Sequence, residues 1–303
     1  MMKDTMLRGL MADGTVNITA VSAGNMVEQA RKTHALSRVC TAALGRTLMG
    51  TAMMAVRLKH ESASLSCIIK GGGPAGNIVC VGRPDGTVKG YIENPGLELP
   101  PGPDGKLNVS AAVGWFGDMT VIKNLYMKEP YIGRCKLVSG EIAEDFAQYF
   151  TLSEQQPSLV YLGVRVDAVS GRTLAAGGLI IQPLPQCPAE VLDALQSRVD
   201  AIKSLAVLLE RGVDLNESLS RIFEGVQLSL THRSAPLLSC DCGRHRLEQA
   251  LISLGREELE DMMEKDHGTE LTCHFCNKKY SFSEEDLKTL LAESTVSGDG
   301  DVR

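Results

Sequence analysis

The sequence predicts an α+β protein: an N-terminal body of antiparallel sheets and helices, an amphipathic helical linker, and a small C-terminal module built on four cysteines. Three observations predict it. In residues 1–182 the strand-like and helix-like runs are segregated, not alternating, which disfavours a doubly wound parallel sheet. An apolar stripe at helical spacing follows a proline cluster. Four of the nine cysteines fall within the 37 residues from Cys240 to Cys276.

Taken in order, residues 15–21 alternate apolar and polar side chains and read as a half-buried strand. From Met26 to about Leu58 helix formers dominate, as one long helix or two abutting ones. Gly45 and Gly50 are its weak points, each costing about 1 kcal/mol against alanine. Residues 65–69, 78–81 and 87–92 are short β-like runs separated by Gly71-Gly72-Gly73-Pro74 and Pro84-Asp85-Gly86, a meander with turn chemistry between its strands. A Pro/Gly-rich surface loop runs from Asn94 to Gly105, and residues 119–123 return to a strand. Residues 140–150 read as a helix with Ile142, Phe146 and Tyr149 on one face. A hairpin of 159–166 and 174–181 closes the body, residues 1–182.

Pro183, Pro185 and Pro188 open the linker, residues 183–233. Val191, Leu192, Leu195, Val199, Ile202, Leu205 and Leu209 recur at helical spacing, with Asp193, Arg198, Asp200 and Lys203 opposite. Gly212 serves as a C-cap, and Asp214 caps a second short helix through Leu215, Leu219 and Ile222. Residues 188–230 are thus expected to be helical. The cysteine module follows over 234–293, and a disordered tail is expected over 294–303.

Composition narrows the function. The 303 residues carry a formal charge of −6 and only 4% aromatic residues, with Trp115 the sole tryptophan, so the core must be aliphatic and methionine-filled. A net negative chain argues against a dedicated nucleic-acid binder and against a polybasic membrane anchor. No run approaches the ~18 apolar residues of a transmembrane helix. No apolar signal region follows Met1, so the cytoplasm is the expected compartment.

Cys240-Asp241-Cys242 and Cys273-His274-Phe275-Cys276 can place four thiolates at the corners of a tetrahedron, the closed arrangement that Zn²⁺ takes in structural sites. Cys240, Cys242, Cys273 and Cys276 are therefore the candidate metal ligands, for one Zn²⁺ per chain. The stretch between the pairs carries Leu247, Leu251, Leu254 and Leu259 and reads as one or two helices. A short strand, residues 279–282, and a helix capped by Ser283 follow. Such a module is too small for a large core, so metal binding would supply folding energy. Thiolates are also what oxidants attack. A structural zinc knob and a redox switch share the same four residues, and spacing alone leaves both open.

Several further segments stand in a fixed order: Leu44-Gly45-Arg46-Thr47, Gly71-Gly72-Gly73-Pro74-Ala75-Gly76, Gly90-Tyr91-Ile92-Glu93-Asn94-Pro95, Gly140-Glu141-Ile142-Ala143-Glu144-Asp145, Ser153-Glu154-Gln155 with Pro157-Ser158, and Gly177-Gly178-Leu179-Ile180-Ile181-Gln182. With the two cysteine pairs, these make the chain resemble the 33-kDa heat shock protein family, redox-regulated holdase chaperones of bacteria, from about Asp4 to Leu291. The resemblance implies a stress-response chaperone that is inactive while reduced and zinc-bound. Peroxide or hypochlorous acid, together with unfolding conditions, would convert Cys273–Cys276 and then Cys240–Cys242 to disulfides. Zinc would be lost, and the module and linker would unfold. The exposed apolar surface would capture unfolding client proteins without ATP, and the oxidised chain would form a homodimer. No catalytic residue is implied.

Other readings of the residues are weaker. Gly71-x-Gly73-x-x-Gly76 matches a dinucleotide-binding pattern but leads into a strand and contains Pro74, so a tight turn is expected. His245 and His274 flank the cysteines but are not needed once four thiolates complete the site. Arg244, Arg246, Lys278 and Lys279 either soften the charge of the site or are simply solvated. Cys40, Cys67, Cys80, Cys135 and Cys187 are expected to be inert thiols. Glu141, Glu144 and Asp145 suit a helix start better than acid–base catalysis. Residues 234–292 hold 7 Lys and Arg against 12 Asp and Glu, which opposes a nucleic-acid-binding zinc module. A thiol oxidoreductase would carry its C-x-x-C beside a βαβ unit, which is missing here.

Overall fold

The computed structural model describes residues 3–103 and 105–297 and divides into two compact units, Met1–Ser239 and Cys240–Arg303. The architecture is mixed α and β with antiparallel sheets, as the segregated runs predict.

The larger unit begins with strands β1 (Thr5–Met11) and β2 (Val16–Ser22), then helices α1 (Gly24–His34) and α2 (Arg38–Ala55). Ala35 takes a left-handed conformation that ends α1, and the Ser37 side chain accepts from the Cys40 N–H to start α2. Two abutting helices therefore occupy the long helical stretch. Next come β3 (Ser64–Lys70), β4 (Ile78–Gly82), β5 (Thr87–Ile92), the short α3 (Val109–Val113), β6 (Asp118–Asn124), β7 (Tyr131–Lys136) and α4 (Ala143–Ser153). The glycine-rich segment 71–76 is a turn between β3 and β4. Strands β8 (Leu159–Val166) and β9 (Thr173–Pro183) form the expected hairpin.

In the linker the helices are four short ones: α5 (Ala189–Gln196), α6 (Val199–Lys203), α7 (Leu205–Glu210) and α8 (Leu215–Ile222). Asp214 caps α8 by accepting from the Glu217 N–H. The expected helix to residue 230 is not found. Leu228–Ser234 is a strand, β10, paired antiparallel with β1. Its Leu228 and Leu230 alternate with polar residues, and the open edge of β1 supplies its hydrogen-bond partners. A two-residue strand, β11 (Leu237–Leu238), pairs parallel with β5.

Two sheets result, ordered β10-β1-β2-β9-β8 and β11-β5-β4-β3-β6-β7. Helix α2 lies between them, packed on β3, β4 and β5 on one side and on β8 and β9 on the other. Every residue of α2 except Arg38 and Arg46 is buried, as a helix apolar all round requires. The opposite face of the five-stranded sheet carries the linker. Leu195, Ile202, Leu205, Leu215, Leu219 and Ile222 share a core with Leu7, Ile18, Leu179 and Ile181. Strand β9 is therefore sandwiched, and its two glycines face opposite layers. A Cβ on Gly177 would meet Leu209 Cδ1 at 2.6 Å, and one on Gly178 would meet Met53 Cε at 2.9 Å. Met6, Met11, Met26, Met49 and Met53 are fully buried, the methionine filling that scarce aromatics require.

The smaller unit holds α9 (Arg244–Ile252), α10 (Arg256–Asp266), the hairpin β12 (Gly268–Thr272) and β13 (Lys279–Ser283), and α11 (Glu284–Ser297). Ser283 and Asp286 cap α11 reciprocally: the Ser283 hydroxyl accepts from the Asp286 N–H, and Asp286 accepts from the Ser283 N–H. Disorder was expected from Ser294, but α11 runs through Ser297, the residue before the first helix breaker, Gly298. The rest of that expected tail, 298–303, lies outside the described residues.

Candidate metal centre

The site is built by two short segments of the smaller unit. Cys240 and Cys242 sit on the segment that leads through Gly243 into α9. Cys273 and Cys276 sit on the turn joining β12 to β13. Three backbone hydrogen bonds fold that turn: Cys273 N–H to Lys278 at 2.9 Å, Asn277 N–H to Cys273 at 2.8 Å and Cys276 N–H to Cys273 at 3.3 Å. Asn277 takes the positive φ of 57° that the turn needs, a conformation asparagine tolerates. Both Sγ atoms of the C-x-x-C are thereby aimed at the first pair.

The four thiols converge. Their sulfurs all lie within 4.8 Å of one another, with Cys240 to Cys273 at 3.8 Å and Cys242 to Cys276 at 3.3 Å. Around a cation with Zn–S bonds of about 2.3 Å, a tetrahedron has S–S edges of about 3.8 Å. The observed cluster brackets that edge, so the donor set fits Zn²⁺ in number, type and spacing. It is the only such group of His, Cys, Asp and Glu among the described residues. His245 is exposed and pairs with Glu248 at 3.5 Å, and His274 is exposed; neither joins the cluster.

Electrostatics point the same way. Burial and the neighbouring thiols push Cys240 up to about 12, and burial moves Cys276 upward too. Burial also acts against ionising Cys242, but the Tyr280 hydroxyl and the other thiols outweigh it and bring Cys242 down to about 7. Four sulfurs this close cannot all carry charge by themselves. A divalent cation would supply the charge that lets every one of them ionise.

Tyr280 is the site residue that sequence reasoning missed. Its hydroxyl stands 3.3 Å from Cys242 Sγ and 3.5 Å from the Cys242 carbonyl oxygen. The available signal was its place on the strand just after the second pair. The basic residues beside the cysteines serve other partners. Arg244 donates to the Ser281 carbonyl at 2.8 Å, pairs with Asp286 at 2.9 Å and covers the Phe282 ring at 4.3 Å. Arg246 pairs with Asp241 at 2.7 Å and Lys279 with Glu270 at 2.8 Å; Lys278 is exposed. Around the site the apolar core is small, chiefly Leu251, Leu259, Phe282, Leu287 and Leu290.

The remaining candidates are structural. Cys40, Cys67, Cys80 and Cys135 are buried in the larger unit. Burial pushes Cys67 up to about 12 and Cys135 to about 11, and raises Cys80 well above the ordinary thiol value, so their nucleophilic thiolates are suppressed. Cys187 is half-buried. Asp145 is fully buried and accepts from the N–H groups of Val138, Ser139, Gly140 and Ile142 at 2.8 to 3.4 Å. That buried carboxylate, held by four backbone donors, anchors the start of α4. Glu141 pairs with Arg46 at 2.6 Å. Among the described residues no helix is long and apolar enough to cross a membrane.

Comparison with known proteins agrees with this arrangement. Residues 4–283 match the family model described as Hsp33 protein. The chain is 47% identical to the 33 kDa chaperonin of Alkaliphilus metalliredigens, over 96% of this chain and all of that one. It is 42% identical to the 33 kDa chaperonin of Clostridioides difficile, again over 96% of this chain and all of the relative. Among solved structures, the 33 kDa chaperonin (heat shock protein 33 homolog) of Thermotoga maritima superposes with a TM-score of 0.89 at 34% identity, covering 97% of this chain and all of that one.

Proposed function

The chain belongs to the Hsp33 family, and from that premise we propose that it is a chaperone, not an enzyme, of the ATP-independent holdase kind, switched on by oxidation of its four clustered cysteines. The observation that carries this reading is the cluster itself: four thiols within 4.8 Å in a unit whose own core is small.

Zn²⁺, when bound, supplies the positive charge that holds four thiolates together. Cys240, Cys242, Cys273 and Cys276 are its ligands, one ion per reduced chain. Two-electron oxidation of each local pair by peroxide joins Cys240 to Cys242 and Cys273 to Cys276, each step consuming one peroxide and yielding two waters. With both pairs closed, no thiolate remains to hold the cation. Local pairing matters physically. Disulfides across the pairs would staple the two segments together, whereas local ones let them part. The sulfur contacts of 3.8 and 3.3 Å run across the pairs, so the local pairing rests on the family resemblance. Without its cation the small core cannot keep the unit folded. In the larger unit, the linker helices that cover β1, β2 and β9 are the elements to be released. Their apolar stripe and the sheet beneath then bind unfolding client proteins. Homodimerisation accompanies activation, the setting is the cytoplasm under oxidative stress, and no nucleic acid or membrane takes part.

The test measures zinc and client holding on one sample before and after peroxide with warming. A chromogenic chelator reports the metal, and light scattering of a heat-unfolding protein reports holding. About one zinc per reduced chain, lost as aggregation suppression appears, is the expected result. Peptide mapping of the oxidised chain should find the two local disulfides. Zinc retained after oxidation, or released with no gain in holding, would leave a structural metal knob instead.

A further inference from the structure

Helix α10 is held to the smaller unit by few apolar side chains. Of its residues Arg256–Asp266 only Leu259, Met262 and Met263 are apolar. Spacings of three and four place both methionines on the same face as Leu259. All three pack on the core that Leu251, Phe282, Leu287 and Leu290 complete. The rest of the helix is charged. Its ion pairs, Arg256 with Glu260 at 3.4 Å and Lys265 with Asp261 at 2.6 Å, lie at the surface, where such pairs contribute little. Leu259 is fully buried, whereas Met262 and Met263 are half-buried, so solvent reaches them. The other methionines lack one property or the other. Met6, Met11, Met26, Met49, Met53 and Met119 are at most 2% exposed, and Met54 is 5% exposed. Met127 is 70% exposed, on the loop between β6 and β7, and stands clear of the three apolar cores. Among the described residues, only Met262 and Met263 are methionines that solvent reaches and that also pack on a core.

A thioether sulfur needs no deprotonation to attack an electrophile. We propose that Met262 and Met263 form a second oxidation site, converted to sulfoxides by hypochlorous acid, and that their conversion loosens the smaller unit around its cysteines. Each conversion adds one oxygen to a sulfur, which loses two electrons. The chlorine of hypochlorous acid takes those electrons and leaves as chloride, and one proton is released. The product is a polar, chiral sulfoxide where an apolar side chain was packed. With both methionines converted, Leu259 alone docks α10 on the core. The helix is tied directly to the cysteine site. The His267 N–H donates to the Met262 carbonyl, Gly268 opens β12, and β12 ends at Thr272, beside Cys273. Local opening of α10 and β12 therefore becomes more frequent, and it bares the turn that carries Cys273 and Cys276 to oxidant. Hydrogen peroxide oxidises thioethers slowly, so the methionines add a response specific to hypochlorous acid. Enzymatic sulfoxide reduction restores the packing. The oxidation site stands on exposure and packing alone; its effect on the cysteines rests on the redox-chaperone reading.

The experiment uses the full-length, zinc-loaded chain. It is treated with limiting hypochlorous acid, its disulfides are reversed with dithiothreitol, which leaves sulfoxides in place, and zinc is restored. Peptide mass spectrometry should find an added oxygen on Met262, Met263 and Met127 and on none of the buried methionines. Zinc release under hydrogen peroxide with warming, followed with a chromogenic chelator, should then run about tenfold faster than in the untreated chain. Methionine sulfoxide reductases should return it to the untreated rate. Met262→Leu combined with Met263→Leu keeps the packing and should abolish the acceleration, while Met127→Leu should retain it. Circular dichroism and zinc content check that each variant folds. Met262 and Met263 free of added oxygen while Met127 carries it, or an acceleration that persists in the leucine double variant, overturns the proposal. Light scattering of a heat-unfolding protein is run in parallel. Faster zinc release without client holding sinks the chaperone reading and leaves the oxidation site, whereas holding with zinc release unchanged does the reverse.

Discussion

At the residue scale, single polar groups fix the conformations that the apolar pattern cannot. Asp145 gathers four N–H donors and holds Ile142 at a φ of +72°, a conformation a β-branched residue avoids. Asp145→Ala would leave those donors buried and unpaired, and urea unfolding should show a loss of about 3 kcal/mol or more. Glu28 does a similar task between α1 and β9. It accepts two hydrogen bonds from Arg31 and one from the Thr173 N–H. The Arg31 bonds, opposed by burial, hold its carboxyl at about 2 against an ordinary 4.5. Because the folded-state value is depressed, the stabilisation is complete above about pH 4.5 and is lost as the pH falls toward 2. Glu28→Gln should cost roughly 2 kcal/mol at neutral pH and flatten the stability profile in that acid window, as read by denaturation at a series of pH values.

At the element scale, α2 shows where propensity misleads. Its glycines read as defects in an otherwise good helix. Packed between two sheets, Gly50 is instead a fitting: a Cβ there would meet the Phe146 ring at 2.5 and 2.6 Å. Propensity alone gives Gly50→Ala a gain of about 1 kcal/mol. Overpacking against a fully buried ring reverses the sign, and thermal unfolding should show a net loss of about 1–3 kcal/mol. The same contrast explains β1, β7 and β10. Thr5–Met11 and Tyr131–Lys136 lack turn-bounded alternation strong enough to mark them as strands, and Leu228–Ser234 follows directly on a helical stretch. All three become strands because a neighbouring strand offers an open edge.

At the scale of the whole molecule, the division after Ser239 separates a unit with two large cores from one with a small core and a thiol cluster. Their stabilities should therefore respond differently to metal. Calorimetry of the reduced chain should resolve a transition of the smaller unit that a strong chelator removes, while the transition of the larger unit moves by no more than a few degrees. Trp115, the sole tryptophan, belongs to the larger unit and should follow only that second transition by fluorescence. Coincident melting with and without the chelator would show that metal does not hold the smaller unit together.

What the sequence determined by itself was local and chemical. The Cys-x-Cys and Cys-x-x-Cys pairs named the four residues that converge, because close spacing puts two thiols on one turn whatever the rest does. Ser37 aside, the caps at Asp214 and Ser283 and the turn at 71–76 were equally legible, since each is decided within a few residues. What only the tertiary structure decided was non-local. The pairing of β10 with β1, the burial of α2 on every side and the reach of Tyr280 to Cys242 all depend on segments far apart in the chain. No short window carries that information, because the free energy that fixes each one lies in contacts formed only when the layers assemble.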